Sequence, residues 1–333
     1  RRAERSESVR AYQEFLIGLS SLTVAAKNHS IVNGLVSHIE QRNDVDSEVP
    51  CVMIIALVEG RYKVSIPFNE FYQKNPIDMA TVNMETKAGR EEYVNRCATM
   101  AAKLYSLNVP MVITTIQVDE STDAEAGVPA YVIVASRKAA LDIIEETNYG
   151  DRPDGDGPRI QEGDFVRAQI TSVARDSIAV VVGGVDTRVP LHALTFEYLV
   201  DARTKYKVGQ EIMVQVEQII KEKDGHHIVE VNCKQPELER AKQMRSALPI
   251  GSIVFGIVSS VAASKKQPGN INVLAYIKMY DLPVLVNNMP AKFLGSEPPR
   301  GSTVRLKVLN YLDNGMILCR CIGTQGPMNF PNA

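Results

Sequence analysis

Aromatic and basic side chains alternate along one predicted strand in the last third of the sequence. Tyr276, Lys278 and Tyr280 occupy alternate positions, so an extended strand would place them on one face. Rings and cations on a common face can stack on nucleobases and neutralise phosphates. The other candidates for this surface lie in neighbouring predicted strands and in a loop between them: Phe255, Lys265, Lys266, Arg305 and Lys307.

A second set of candidates occupies the middle of the sequence and is poorer in aromatic residues. Its members are Phe165, Arg167, Arg175, Arg188 and His192. For both sets a structural alternative stays open, in which the rings of Phe165, Phe255 or Tyr276 pack in a core. The cations would then belong to an ordinary solvated face.

Side-chain groupings typical of enzymes are missing from the sequence. No glycine-rich loop has the spacing of a phosphate-binding or dinucleotide-binding motif. His226 and His227 follow a predicted turn and, as neighbours on a strand, would point to opposite faces, which makes them a poor chelate. The five Cys residues form no Cys-x-x-Cys pair. We therefore expect a protein without enzymatic activity, metal or cofactor.

Composition and charge limit the class of protein. The chain has 333 residues, of which 45% are hydrophobic and 23% charged, proportions typical of globular proteins with several domains. Residues 1–157 carry 16 Lys and Arg against 23 Asp and Glu, whereas residues 250–333 carry 8 against 3. No apolar run reaches the roughly 18–20 residues of a membrane span, and the beginning does not resemble a signal peptide. With unpaired Cys residues, this predicts a cytoplasmic protein that does not bind membranes.

The sequence repeats itself. Ser30–Ser37 and Ser252–Ser259 share six of eight residues, and Asp164–Thr171 is a weaker copy. Each copy alternates apolar and polar residues, as a half-buried strand does, and four further predicted strands follow it. Five strands with an irregular crossover after the third are typical of an OB-type barrel, whose closure removes the sheet edges.

The fold class expected is mainly β, with three tandem five-stranded OB-type barrels, an N-terminal helix and a helical insert in the first barrel. We place the N-terminal helix at residues 1–27 and expect its apolar stripe to pack on the first barrel rather than on a partner. The remaining boundaries are barrel one at 28–149, a linker at 150–157, barrel two with a connecting helix at 158–248, barrel three at 249–323 and a tail at 324–333.

Three features of these repeats resemble the S-one RNA-binding domain, a family named for the largest protein of the bacterial small ribosomal subunit. The opening strands carry Gly34 and Gly256 between apolar residues, as the family does. The run Tyr206–Glu211 is similar to the family's entry into the fourth strand, and Arg300–Val304 is a looser version. The run Ala135–Leu141 is similar to the family's closing segment.

The resemblance implies binding of single-stranded RNA on the face of the second and third strands, and it places Tyr276 at the family's second-strand aromatic position. Barrels one and two depart from the family. The second strand of barrel two lacks aromatic residues, and Pro67 in barrel one and Pro190 in barrel two stand where the family has His. We therefore expect non-enzymatic binding of single-stranded RNA, or of single-stranded DNA, mainly through barrel three, in translation or RNA metabolism.

An alternative is a structural or adaptor protein, in which the barrels dock on a protein assembly such as a ribosome, a polymerase or a phage complex. The acidic residues 1–149 would then contact the partner. Burial of the rings of Tyr276 and Tyr280 would favour this alternative.

Overall fold

A computed structural model describes residues 2–42, 50–118, 130–152, 155–290 and 298–325. These residues form three β-sheets that follow one another along the chain. The expected fold class, mainly β with an N-terminal helix and three five-stranded units, is confirmed. Residues 326–333 of the expected tail lie outside the described residues. None of the described helices is long and apolar enough to cross a membrane.

Barrel one is a closed five-stranded barrel with strand order β1-β2-β3-β5-β4. Its strands are β1 (Ile31–Arg42), β2 (Cys51–Val58), β3 (Tyr62–Pro67), β4 (Asn108–Val118) and β5 (Tyr131–Ser136). Helix α1 (Arg2–Lys27) precedes the barrel, and the expected helical insert is α2 (Lys87–Ala102), between β3 and β4. The Thr86 hydroxyl caps α2 by accepting a hydrogen bond from the Gly89 amide at 3.1 Å.

The N-terminal helix packs on barrel one, as its apolar stripe predicts. Phe15, Leu19 and Leu22 are buried in the barrel-one core, and the Tyr62 hydroxyl donates to the Phe15 carbonyl oxygen at 3.1 Å. Leu16, which belongs to the same predicted stripe, stays exposed. The helix therefore contacts the barrel through a narrower stripe than the sequence suggests.

Barrel two is a five-stranded sheet with strand order β10-β9-β6-β7-β8. Its strands are β6 (Phe165–Val173), β7 (Ser177–Val182), β8 (Val185–Pro190), β9 (Glu211–Lys221) and β10 (His227–Asn232). A four-residue helix, α4 (Leu191–Leu194), follows β8. In the described residues β8 and β10 lie side by side without a backbone ladder. The Thr187 hydroxyl nevertheless donates across this seam to the Val229 carbonyl oxygen at 3.0 Å.

Barrel three is closed, with strand order β11-β12-β13-β15-β14. Its strands are β11 (Ile253–Ala263), β12 (Asn270–Ile277), β13 (Leu282–Pro290), β14 (Thr303–Tyr311) and β15 (Ile317–Gln325). The glycine shared by the first and third repeats has a steric cause. A Cβ atom on Gly34 would lie 2.7 Å from the Met111 side chain, and one on Gly256 would lie 2.9 Å from Leu306. Both opening strands therefore approach the fourth strand's core residue closely.

Two helices join the barrels. Helix α3 (Arg137–Tyr149) begins directly at the end of β5 and ends in the core of barrel two, where the Tyr149 hydroxyl donates to the Val182 carbonyl oxygen at 2.9 Å. Helix α5 (Lys234–Gln243) follows β10, and its Ala241 is buried in the core of barrel three. Each helix thus packs into the core of the barrel that follows it.

Candidate nucleic-acid interface

The outer face of β11, β14 and β15 brings one aromatic ring together with three cations. We call this surface the barrel-three face and define it by Ile253, Phe255, Arg305, Lys307 and Arg320. Phe255 is 53% exposed and lies opposite Arg305 in the β11–β14 ladder. Ile253 lies opposite Lys307, and Lys307 lies opposite Arg320 in the β14–β15 ladder. Directly opposite residues of a sheet lie close enough for their side chains to interact.

The barrel-three face follows from strict alternation in β11 and β14. Val254 and Gly256 face the core on either side of Phe255, and Val304, Leu306 and Val308 do so between the cations. Within the described part of the chain, no carboxylate lies within salt-bridge distance of Arg305, Lys307 or Arg320. The three charges are therefore exposed and available to an anionic ligand.

The loop lysines lie apart from the barrel-three face. Lys265 and Lys266 are exposed in the connection between β11 and β12, at the far end of β11 from Phe255. Arg320 is a further cation of the barrel-three face, opposite Lys307, that was not among the residues predicted from the sequence. The alternation of Arg320 with the buried Cys319 and Cys321 was the available signal.

The expected surface of Tyr276, Lys278 and Tyr280 is not formed, which corrects the sequence prediction. Strand β12 ends at Ile277, and residues 278–281 form a turn that Asp281 closes with a φ of 56°. Tyr276 points away from the barrel-three core, because its neighbours Ala275 and Ile277 face inward. Its ring is nevertheless 0% exposed, since barrel two and α5 cover it. Tyr280 is half-buried.

Polar groups from both barrels surround Tyr276. Its hydroxyl donates a hydrogen bond to Asp281 Oδ1 at 2.5 Å, and Glu237 Oε1 of α5 lies 3.4 Å from the same hydroxyl oxygen. Lys205 Nζ of barrel two lies 5.3 Å from the ring centroid. Burial raises the pKa of Glu237 above its ordinary value. Burial also acts to raise the pKa of Asp281, but the Tyr276 hydroxyl, Arg240 and Lys205 hold it below its ordinary value.

The candidates of barrel two fall into two separate groups. Phe165, which is 43% exposed, and Arg167 lie on the outer face of β6, where Arg167 Nη1 is 3.9 Å from Glu211. Arg175 in the β6–β7 turn, Arg188 in β8 and His192 in α4 are exposed at a different part of the outer surface. The Arg188 guanidinium donates to the Ser177 hydroxyl at 2.8 Å. The structure therefore does not combine these five residues into one surface.

A cleft of about 910 Å³ lies between barrels one and two. Strands β7, β8 and β10 form one wall, and the segment from Tyr72 to Pro76 of barrel one forms part of the other. Arg188 and His192 line it together with the acidic residues Asp186, Glu217 and Glu230. The mixed charge makes this cleft a poorer site for a polyanion than the barrel-three face.

The two adjacent histidines lie directly after the turn of the β9–β10 hairpin, as the sequence predicts, and there they pack against α3. Glu145 is 4% exposed and accepts the His227 backbone amide at 2.6 Å. Its carboxylate oxygens also lie 2.9 Å from His227 Nδ1 and 3.3 Å from His226 Nδ1. Gln73 of barrel one donates to the same carboxylate at 3.0 Å. A single buried carboxylate thus connects barrel one, α3 and barrel two.

Asp142, one turn before Glu145 on α3, completes this cluster. One carboxylate oxygen each of Asp142 and Glu145 and one ring nitrogen of His226 lie within 4.8 Å of one another. The Gln73 amide nitrogen lies 3.4 Å from Asp142 Oδ1 and so donates to both carboxylates.

Comparison with known proteins gives one family match. The model of the S1 RNA binding domain matches residues 159–227, which contain most of barrel two. No curated protein sequence matches the chain.

The comparison with solved structures gives matches of low sequence identity. One is an a/eIF2alpha-aDim2p-rRNA complex from Pyrococcus horikoshii OT3, with 16% identity, 25% of this chain and 56% of that chain covered, and a TM-score of 0.20. This chain thus spans little more than half the length of that relative. A multidomain protein with nucleic acid binding domains from Streptococcus pneumoniae TIGR4 is 11% identical. The match covers 87% of this chain and 72% of that chain, with a TM-score of 0.21. Drosophila Unr CSD456 is 11% identical, and the match covers 89% of this chain and 96% of that chain, with a TM-score of 0.17. The match at family level is thus confined to one segment: residues 159–227 of this chain are similar to the S1 RNA binding domain.

Proposed function

We propose that this protein binds single-stranded RNA through the barrel-three face, without catalysing a reaction on it. The observation that carries the proposal is the exposed ring of Phe255, which lies opposite Arg305 in a sheet whose other exposed cations have no acidic partner among the described residues. The S1 RNA binding domain in barrel two supports the choice of RNA as the ligand. From the same resemblance we place the protein in translation or RNA metabolism in the cytoplasm.

The barrel-three face has the chemistry that sequence-tolerant binding of a single strand requires. A base can stack on Phe255, which contributes about 1–3 kcal/mol in proteins of this kind. Arg305 and Lys307 occupy alternate positions of β14, so they lie about 7 Å apart along the strand. At that spacing they can contact phosphates on either side of the stacked base.

Replacing Phe255 with Ala is expected to weaken binding of a labelled single-stranded oligoribonucleotide about tenfold, because the stacking surface is lost. Replacing Arg305 and Lys307 together with Ala should also lower the slope of log affinity against log salt by about 1.4, since two phosphate contacts disappear. Fluorescence anisotropy across a salt series measures both effects. The matched control is Phe165→Ala, which removes an exposed ring of barrel two from a surface without three free cations.

Equal affinity of the Phe255→Ala variant and the unaltered protein would exclude the barrel-three face as the binding site. A salt slope near zero in the unaltered protein would exclude phosphate contacts altogether.

The adaptor function is supported by a different observation. The Tyr276 ring is fully buried, and buried contacts join each barrel to the next. This arrangement suits a rigid spacer that docks on a protein through residues 1–149. Complete absence of RNA binding at low salt, by the whole chain, would favour the adaptor over the RNA-binding protein.

A further inference from the structure

Tyr276 is an outward-facing ring that another part of the same chain covers. It belongs to the outer surface of barrel three, since it is not part of the barrel-three core. Lys205 lies over the ring, and Lys278 Nζ, two residues further along the chain, lies 3.9 Å from Glu197 Oε1 of barrel two. The ring of Tyr276 is thus covered by a cation of barrel two, whereas the Lys278 side chain beside it is 75% exposed.

Polar and charged groups of barrel two and α5 make the contact with barrel three around Tyr276. The Glu237 carboxylate accepts hydrogen bonds from the Thr195 hydroxyl at 2.5 Å and from the Phe196 backbone amide at 2.9 Å. Lys205 Nζ lies 2.8 Å from Glu197 and 3.7 Å from Asp281. Bringing charges out of water costs nearly as much as their pairing returns, so such a contact has a small net free energy. Polar contacts between domains of one chain are generally able to open.

We infer that barrel two acts as an autoinhibitory cover, and that opening the contact between barrels two and three exposes Tyr276, beside the exposed Lys278, as a second site for single-stranded RNA. The inference rests on the proposed function for the identity of the ligand. In the closed state Lys205 occupies the ring face on which a base would stack, and Glu197 places a carboxylate near Lys278. In the open state the exposed tyrosine ring, with Lys278 beside it, adds to the barrel-three face.

Two single substitutions in barrel two test the inference, because each places like charges on the two sides of the contact with barrel three. Glu197→Lys places a cation against Lys278 and Lys205, and Lys205→Glu places a carboxylate against Glu237 and Asp281. They change the net charge in opposite directions, so an increase in affinity common to both cannot come from net charge. The control variant Glu211→Lys adds the same charge as Glu197→Lys on a side of barrel two that does not touch barrel three.

Small-angle X-ray scattering of the full chain reports opening as a larger radius of gyration, and circular dichroism reports folding. We expect both variants to open and to bind a single-stranded oligoribonucleotide about tenfold more tightly than the unaltered protein, as one additional stacked base would give. The added substitution Tyr276→Leu should remove this gain, and Glu211→Lys should not reproduce it.

Three results would overturn the inference. The first is an open chain with no gain in affinity, and the second is a gain that persists with Tyr276→Leu. The third is a closed chain in both variants, which would make the contact permanent. Failure of the proposed function gives a different result. In that case Phe255→Ala binds the oligoribonucleotide as tightly as the unaltered protein does while the contact between barrels two and three is closed.

Discussion

Replacing Glu145 with Ala is expected to lower the free energy of unfolding by about 3 kcal/mol or more, because buried donors lose their acceptor. The carboxylate is 4% exposed and accepts the His227 backbone amide and the Gln73 amide. The His227 amide lies in a buried contact, so it carries a desolvation cost once its acceptor is removed. Barrels one and two should also lose their fixed orientation, since Gln73 and His227 belong to different barrels.

Chemical denaturation measures the loss of stability, and small-angle scattering measures the loss of orientation. The control is Glu146→Ala, which removes an exposed carboxylate from the next position of the same helix. We expect this control to change stability by less than about 0.5 kcal/mol. A loss below about 1 kcal/mol for Glu145→Ala would show that the buried cluster contributes little to the barrel contact.

Replacing Gly184 with Ala is expected to destabilise the protein by about 3 kcal/mol, from backbone strain and steric overlap together. Gly184 has a φ of +102°, and a Cβ atom there would lie 2.5 Å from the Glu145 backbone nitrogen and 2.8 Å from the Leu141 carbonyl oxygen. The β7–β8 turn therefore packs directly on the backbone of α3. Thermal unfolding should show a lower midpoint for this variant.

Gly225→Ala separates the two contributions. Gly225 has a similar φ of +94°, but no atom lies within 4 Å of its added Cβ. This variant therefore measures backbone strain alone, about 1 kcal/mol. Equal destabilisation by the two substitutions would contradict close packing of the turn on α3.

The repeats made the fold predictable, whereas the burial of Tyr276 could not be predicted. Alternation within one strand correctly placed Tyr276 on the outside of barrel three, because strand periodicity is a local property. The groups that cover it, Lys205 and Glu237, belong to other elements, and their approach depends on how two barrels pack. The surface predicted around this ring was wrong for that reason.

The burial of the histidine pair, His226 and His227, also could not be predicted from the local sequence. A turn followed by His226 and His227 is typical of an exposed hairpin, and nothing local indicates burial. The acceptor Glu145 lies far away in the sequence, on a helix that the sequence analysis did not identify. By contrast, Phe255, Arg305 and Lys307 were predicted as one surface and do lie together, since they occupy neighbouring strands of one barrel.

Helix α3 has a consequence for the order in which the chain acquires its structure during synthesis. It is translated before any strand of barrel two, yet its Tyr149 becomes part of that barrel's core. When barrel two leaves the ribosome, α3 has already been synthesised. Its apolar face, which includes Tyr149, is then available for the strands of barrel two to pack on. A fragment cut at residue 159, where the S1 RNA binding domain match begins, would lack this nucleus. We expect such a fragment to fold more slowly than one that begins at Arg137.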